Sequence, residues 1–183
     1  MITCKVTTLT LLTLYHYINL FNILVWNGSI FIREGSYKDA ILKFEIFIPS
    51  NYPSKSPEVV FITKIFHPLI DLVSGKLDIS KKFPVWEPGK NFILQILYFI
   101  QNIFFDRNYL QEENSFNNSA AKLFQDDIKK FEEEVSKYCR TSYNNRFDTA
   151  NKDVSLKFSK FNNLHELILN KILKQNKEVI IIH

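Results

Sequence analysis

The chain has 183 residues, a formal charge of +4, 46% hydrophobic residues and two cysteines, Cys4 and Cys139. That length fits one domain with a tail, and the composition excludes a wholly disordered chain. Two distant cysteines exclude a disulfide framework and a cysteine-rich zinc site, and point to a reducing compartment.

The charge is uneven. Residues 144–183 carry seven Lys/Arg against four Asp/Glu. Their signs alternate with few aromatics between them, the pattern of a solvated surface rather than a nucleic-acid or acidic-lipid patch.

No Asp, Glu, Lys or Arg stands between Lys5 and Arg33. Leu9–Tyr15 has the hydropathy of a signal-peptide core. Thr8, Thr10, Thr13, His16, Asn19 and Asn22 interrupt the stretch, and no small-residue cleavage site follows. A buried helix or strand at the start of the domain is expected.

Leu24–Ile32 reads as a strand ended by the turn signal Glu34-Gly35-Ser36. Residues 37–48 alternate, with Tyr37, Ile41, Phe44, Ile46 and Ile48 among Lys38, Lys43 and Glu45. That predicts a second strand, stopped by Pro49 and Pro53. Val59–Ile62 is the third, and the three form an antiparallel meander. From Ile65 to Asn91 the periodicity fails, and His67-Pro68, Ser74-Gly75, Phe83-Pro84 and Pro88-Gly89 mark turns. An irregular loop this long inside a compact domain is usually functional or inherited from a functional ancestor.

Ile93, Leu97, Ile100 and Phe104 step by three and four, with Phe92, Ile96, Phe99 and Ile103 beside them, so a largely buried helix is expected. Ala120, Leu123 or Phe124, Ile128, Phe131, Val135 and Tyr138 predict one long helix over about Ser119–Tyr143, capped by Asn118 or Ser119. Asp126, Asp127 and Glu132–Glu134 lie mostly on its solvated face. Beyond a polar stretch, Val154–Phe158 looks strand-like. Leu164, Leu167, Ile168, Ile172 and Leu173 predict a tail helix over about Asn163–Asn176.

This order of elements resembles the ubiquitin-conjugating (E2) family. Tyr52-Pro53-x-x-x-Pro57-x-x-x-Phe61 is similar to that family's proline-rich turn into its third strand. His67-Pro68 is similar to the start of its His-Pro-Asn tripeptide, and Gly75 and Trp86-x-Pro88 to its glycine and tryptophan turn. Asn117-x-x-Ala120-Ala121 is similar to the start of its penultimate helix. The resemblance implies an α+β UBC-like fold, an antiparallel meander flanked by helices, with a C-terminal helical extension. It places a poorly matched segment at 1–23, the UBC-like core at 24–143 and the extension at 144–183.

Active members hold a cysteine three residues after this glycine; here that residue is Asp78. A thiolate accepts ubiquitin as a thioester, whereas a carboxylate is a poorer nucleophile and would give a labile mixed anhydride. The asparagine of the tripeptide is replaced by Leu69, which has no donor for an oxyanion. No catalytic residue is therefore expected. Tyr52, Pro53, Pro57, His67, Pro68, Gly75, Trp86 and Pro88 are structural motif residues. His67 is expected to be pinned to backbone in its turn rather than to act as a base. Cys4, which precedes the domain, and Cys139, late in a helix, read as inert thiols. Neither metal nor cofactor is implied.

The basic first helix by which active members meet the activating enzyme has no counterpart, since only Lys5 precedes Arg33. The aromatic that often follows Tyr-Pro to anchor a ligase is Ser54.

Among cysteine-less variants, the fused toes (AKT-interacting protein) family is the most similar. Phe66–Asp78, Gly28–Tyr37, Phe83–Trp86 and the segment Val154–Gln175 carry the likeness. It implies a non-catalytic adaptor that joins a Hook-like coiled coil and an FHIP-like subunit in dynein-linked vesicle trafficking. The third helix and the tail helix's apolar stripe would offer a groove or ridge to a helical partner. The chain would be cytoplasmic, reach endosomes or microtubules through its partners, and bind no nucleic acid. The alternative is a cofactor that holds ubiquitin non-covalently for an active conjugating enzyme.

Overall fold

The computed structural model describes residues 2–4, 10–18, 24–110, 116–147 and 158–180, with side chains over 24–110, 116–147 and 158–171. Five strands form one sheet: β1 (Ile2–Cys4), β2 (Thr10–Ile18), β3 (Leu24–Ile32), β4 (Ile41–Ile48) and β5 (Glu58–Phe61). Each pairs antiparallel with the next in sequence, so the sheet is the expected meander, extended by β1 and β2. The uncharged opening stretch thus contains a strand, with Thr10 opposite Ile32 and Ile18 opposite Leu24.

β4 buries every second residue, Leu42, Phe44, Ile46 and Ile48. β3 buries both faces, as a strand inside a sheet can. Gly28 is needed where it stands: a Cβ there would come within 2.2 Å of the Phe44 ring. β4 begins four residues later than its alternation predicts. Tyr37–Ala40 is instead a turn, in which Asp39 has φ of 67° and donates to the Ile32 carbonyl at 2.8 Å. Tyr37 mimicked a strand residue because it is fully buried, but it enters the core from a turn.

Four helices follow: α1 (Ile93–Asn102), α2 (Asn118–Asp126), α3 (Ile128–Asn144) and α4 (Asn163–Ile180). α1 buries Ile96, Leu97, Phe99, Ile100 and Gln101, leaving Leu94 and Tyr98 exposed. The single helix expected over 119–143 is broken at Asp127, which is extended at φ −152°, ψ 90°. Its side chain accepts from the Lys130 N–H at 3.1 Å, so it ends α2 and caps α3. The apolar period runs through the break because Ala120, Phe124, Phe131 and Val135 all belong to the same buried cluster. Ser142 Oγ accepts from the Ile41 N–H at 3.1 Å and ties α3 to β4.

The chain divides into two compact units, Met1–Arg146 and Phe147–His183. In the second, α4 begins where the sequence predicts and runs four residues further. The strand-like segment proposed at Val154–Phe158 lies outside the described residues except for Phe158, which is in no regular element.

Candidate functional site

The loop 65–91 wraps the edge of the sheet. Its residues 75–77 run beside β5: the Phe61 N–H donates to the Gly75 carbonyl at 2.7 Å, and the Leu77 N–H to the Val59 carbonyl at 2.9 Å. This close approach requires Gly75. Its φ is +73°, and a Cβ would lie 2.1 Å from the Phe61 carbonyl oxygen. The same stretch turns back on itself, Ile70 bridging Leu77 and the Asp78 N–H donating to the Leu69 carbonyl at 2.8 Å. Leu69 and Asp78 are therefore neighbours.

His67 is fully buried, its ring 5.4 Å from Phe104 and 5.6 Å from Tyr37. The Leu69 N–H donates to Nδ1 at 3.0 Å. Nδ1 therefore carries no proton, and Nε2–H donates to the Ile103 carbonyl at 2.9 Å. Burial lowers the ring's pKa to about 4, against the opposing hydrogen bond to Ile103. The imidazole is neutral at pH 7, and both nitrogens are engaged by backbone. Pro68, also buried, accepts from the Asn117 N–H at 2.9 Å, and Asn117 Oδ1 caps α2 through the Ala120 N–H.

Leu69 is 0% exposed and presents a hydrocarbon side chain at the tripeptide's third position. Asp78 is 7% exposed. Its Oδ1 accepts from the Ser80 N–H at 3.0 Å and from Ser80 Oγ–H at 2.6 Å, capping the short turn Ile79–Lys81. The carboxylate is thus occupied with local structure. Asp71, seven residues earlier, makes a similar exposed turn, accepting from Ser74 Oγ and the backbone N–H groups of Ser74 and Val73. Those bonds, the Ser74 hydroxyl foremost, hold its carboxyl below the usual range.

Tyr52, Pro53 and Trp86 converge. The Trp86 indole N–H donates to the Pro53 carbonyl at 2.7 Å, and its ring lies 6.3 Å from Tyr52 and 5.8 Å from Phe83. Pro57 is buried beside them in sequence, and Pro88 lies in the exposed turn that follows Trp86. A cleft of about 430 Å³ opens along the segment holding Asp78, lined by Phe47, Lys55, Pro57, Lys76, Leu77 and Ile79. Lys76 pairs with Glu58 at 3.2 Å on its rim.

Cys139 is buried in α3, and burial, with Asp39 nearby, pushes its thiol pKa up to about 12. It is a thiol rather than a thiolate at neutral pH, so it is not a ready nucleophile. Among the described residues no group of three or more His, Cys, Asp or Glu side chains is placed to hold a metal ion. Tyr37, Ile103 and Phe104 complete the packing around His67; the sequence marks them as apolar strand and helix positions but carries no sign that they meet His67. Tyr37 was hidden in an apparent strand, and Ile103 contributes a carbonyl, which no side-chain pattern reveals.

The family model for ubiquitin-conjugating enzyme matches residues 8–139. The chain belongs to the ubiquitin-conjugating enzyme family. Within it, the chain is similar to AKT-interacting proteins. It is 39% identical to that of Danio rerio over 142 residues, 76% of this chain and 47% of that protein. It is 35% identical to that of Xenopus tropicalis over 158 residues, 84% of this chain and 53% of that protein. It is 34% identical to that of Mus musculus with the same coverage. The chain therefore spans about half the length of the curated relatives it matches. The matched region begins before β2, so the E2 pattern includes the first long strand.

Proposed function

We propose that this chain is a catalytically inactive E2-like adaptor that works by binding proteins. The observation that carries the reading is Asp78, standing where active E2 enzymes hold their cysteine and tied through Oδ1 to Ser80. A carboxylate there has no sulfur to form a thioester and would give only a labile mixed anhydride, and the Leu69 side chain beside it has no polar hydrogen to offer an oxyanion. Two separate parts of the chemistry are replaced at one place. The name of the similar relatives describes a protein–protein interaction, which supports a binding role.

The partners we assign are a Hook-like coiled coil and an FHIP-like subunit, in a cytoplasmic complex that links endosomal vesicles to dynein. The likeness to AKT-interacting proteins over 76–84% of the chain supports this assignment. Co-purification of the full chain with a Hook-like coiled coil tests it. Recovery of a stoichiometric complex is the expected result. If no such complex forms while ubiquitin titration perturbs the chain's NMR spectrum, the protein is instead a ubiquitin-holding cofactor.

A further inference from the structure

The cleft of about 430 Å³ lies where the end of β4, the start of β5 and the segment 76–79 meet. Phe47 and Glu58 are partners across the two strands, so their side chains leave the sheet on the same face. Leu77 is 2% exposed, and Phe47 and Ile79 are half-buried, which gives the cleft an apolar lining. A cavity of this size, mostly apolar with a few polar groups at one side, has the make-up of a ligand site.

The polar lining is asymmetric. Lys76 Nζ is held by Glu58 at 3.2 Å, and the two charges cancel. Lys55 also lines the cleft and is exposed, and it makes no ion pair among the described residues. The hydroxyl of Ser56 beside it, and the backbone N–H groups of Lys55 and Ser56, have no acceptor among the described residues either. One wall of an apolar cleft therefore carries an ammonium, a hydroxyl and two amide donors, and no counter-ion of its own. Asp78 adds no negative charge to that wall, since its Oδ1 is bound to Ser80 on the turn that follows.

This donor set selects an anion. A carboxylate accepts from all three kinds of donor, and its bond from an ammonium is the stronger, charge-assisted kind. A basic group would meet Lys55 with like charge. A wholly apolar occupant would cover these donors and leave them unpaired. We propose that the cleft receives an acidic segment of a protein partner, its aspartate or glutamate at Lys55 and Ser56 and the adjoining aliphatic side chain against Phe47, Leu77 and Ile79. That the occupant is a protein segment rests on the binding role proposed above. Its charge and its apolar neighbour rest on the cleft.

The test is fluorescence polarisation of the full chain with a fluorescein-labelled peptide of alternating Glu and Leu. A peptide of alternating Lys and Leu is the control. Saturable binding of the acidic peptide alone is expected, with the NMR amide signals of residues 55–58 and 76–79 shifting together. Lys55→Gln should weaken binding by about two- to fivefold, and Lys55→Glu by about tenfold. Lys55 is exposed, so neither variant should move the urea midpoint. Exchanging Leu for Ser in the peptide should weaken binding by about tenfold for each leucine that the cleft buries. Equal binding of the acidic and basic peptides, or an affinity that Lys55→Glu leaves unchanged, overturns the proposal. So do shifts confined to other residues. Benzoate that competes as strongly as the peptide also overturns it, in favour of a small organic anion. Peptide binding without recovery of a coiled-coil partner supports the cleft and overturns only the partner assignment above. A chain that recovers that partner and ignores the peptide overturns only the cleft.

Discussion

The backbone N–H of Asp78 donates to the carbonyl of Leu69 at 2.8 Å. The two residues that we propose replace the E2 cysteine and the E2 asparagine are therefore held side by side by the main chain. Asp78 caps a turn and Leu69 fills the core.

Asp78 as a cap has a measurable consequence. Asp78→Ala removes both acceptor bonds to Ser80 and should lower stability by about 1 kcal/mol, read as a lower urea midpoint with an unchanged slope. Asp78→Asn keeps an acceptor oxygen and should lose much less. Equal losses in the two variants would contradict the capping role.

His67 makes stability depend on pH. Its folded pKa of about 4 lies below the ordinary histidine value of 6.5. Between those values the unfolded chain binds a proton that the folded chain refuses, so stability rises with pH there. The contribution is fully present above about pH 6.5 and is lost as pH falls toward 4, by about 3 kcal/mol at most. The imidazole NMR signals should stay in the neutral form from pH 8 to 5. Titration near pH 6.5 would contradict the buried, doubly bonded ring.

Gly75 tolerates no side chain. Gly75→Ala combines φ of +73° with a contact of 2.1 Å to the Phe61 carbonyl. It should cost about 2 kcal/mol or more, since either the backbone rotates or residues 75–77 leave the edge of β5. Hydrogen exchange should show the amides of Phe61 and Leu77 losing protection together. Gly89→Ala is the control: its φ is +84° but nothing lies within 4 Å of the added carbon, so any loss should be smaller.

Tyr37 holds the loop before the site. Its hydroxyl donates to the Phe66 carbonyl at 2.9 Å, and its ring meets His67, Phe104 and Phe131. Tyr37→Phe leaves that carbonyl without its donor and should cost about 1–2 kcal/mol in thermal or urea unfolding. A neutral substitution would show that water or another group replaces the hydroxyl.

Much of this arrangement was legible in the sequence where local chemistry and tertiary role agree. β3 spans Leu24–Ile32 as read, because aliphatic and aromatic residues flank its Asn27-Gly28-Ser29 centre and a turn signal follows. The line Ile96, Leu97, Ile100 set α1 in the core, and Gly75 stood out because a glycine between turn residues has a backbone reason to be there. The misses came where tertiary packing overrides a local pattern. Tyr37 continued the alternation of β4 from within a turn. Asp127 broke a helix whose apolar period ran on, because α2 and α3 bury their faces in one core. The opening uncharged stretch had no period to separate helix from strand, and only pairing with β3 decided that Thr10–Ile18 is extended. In the site, the identities of Asp78 and Leu69 were visible at once. Their hydrogen bond and the use of Asp78 as a cap were not, since both depend on how the loop folds back.

The central claim is that this E2-like chain does no ubiquitin transfer of its own. Incubation of the full chain with activating enzyme, ATP and ubiquitin, followed by non-reducing electrophoresis, tests it most directly. The account predicts no ubiquitin adduct on this chain under conditions where an active conjugating enzyme is charged completely. A ubiquitin adduct that reductant removes would contradict it.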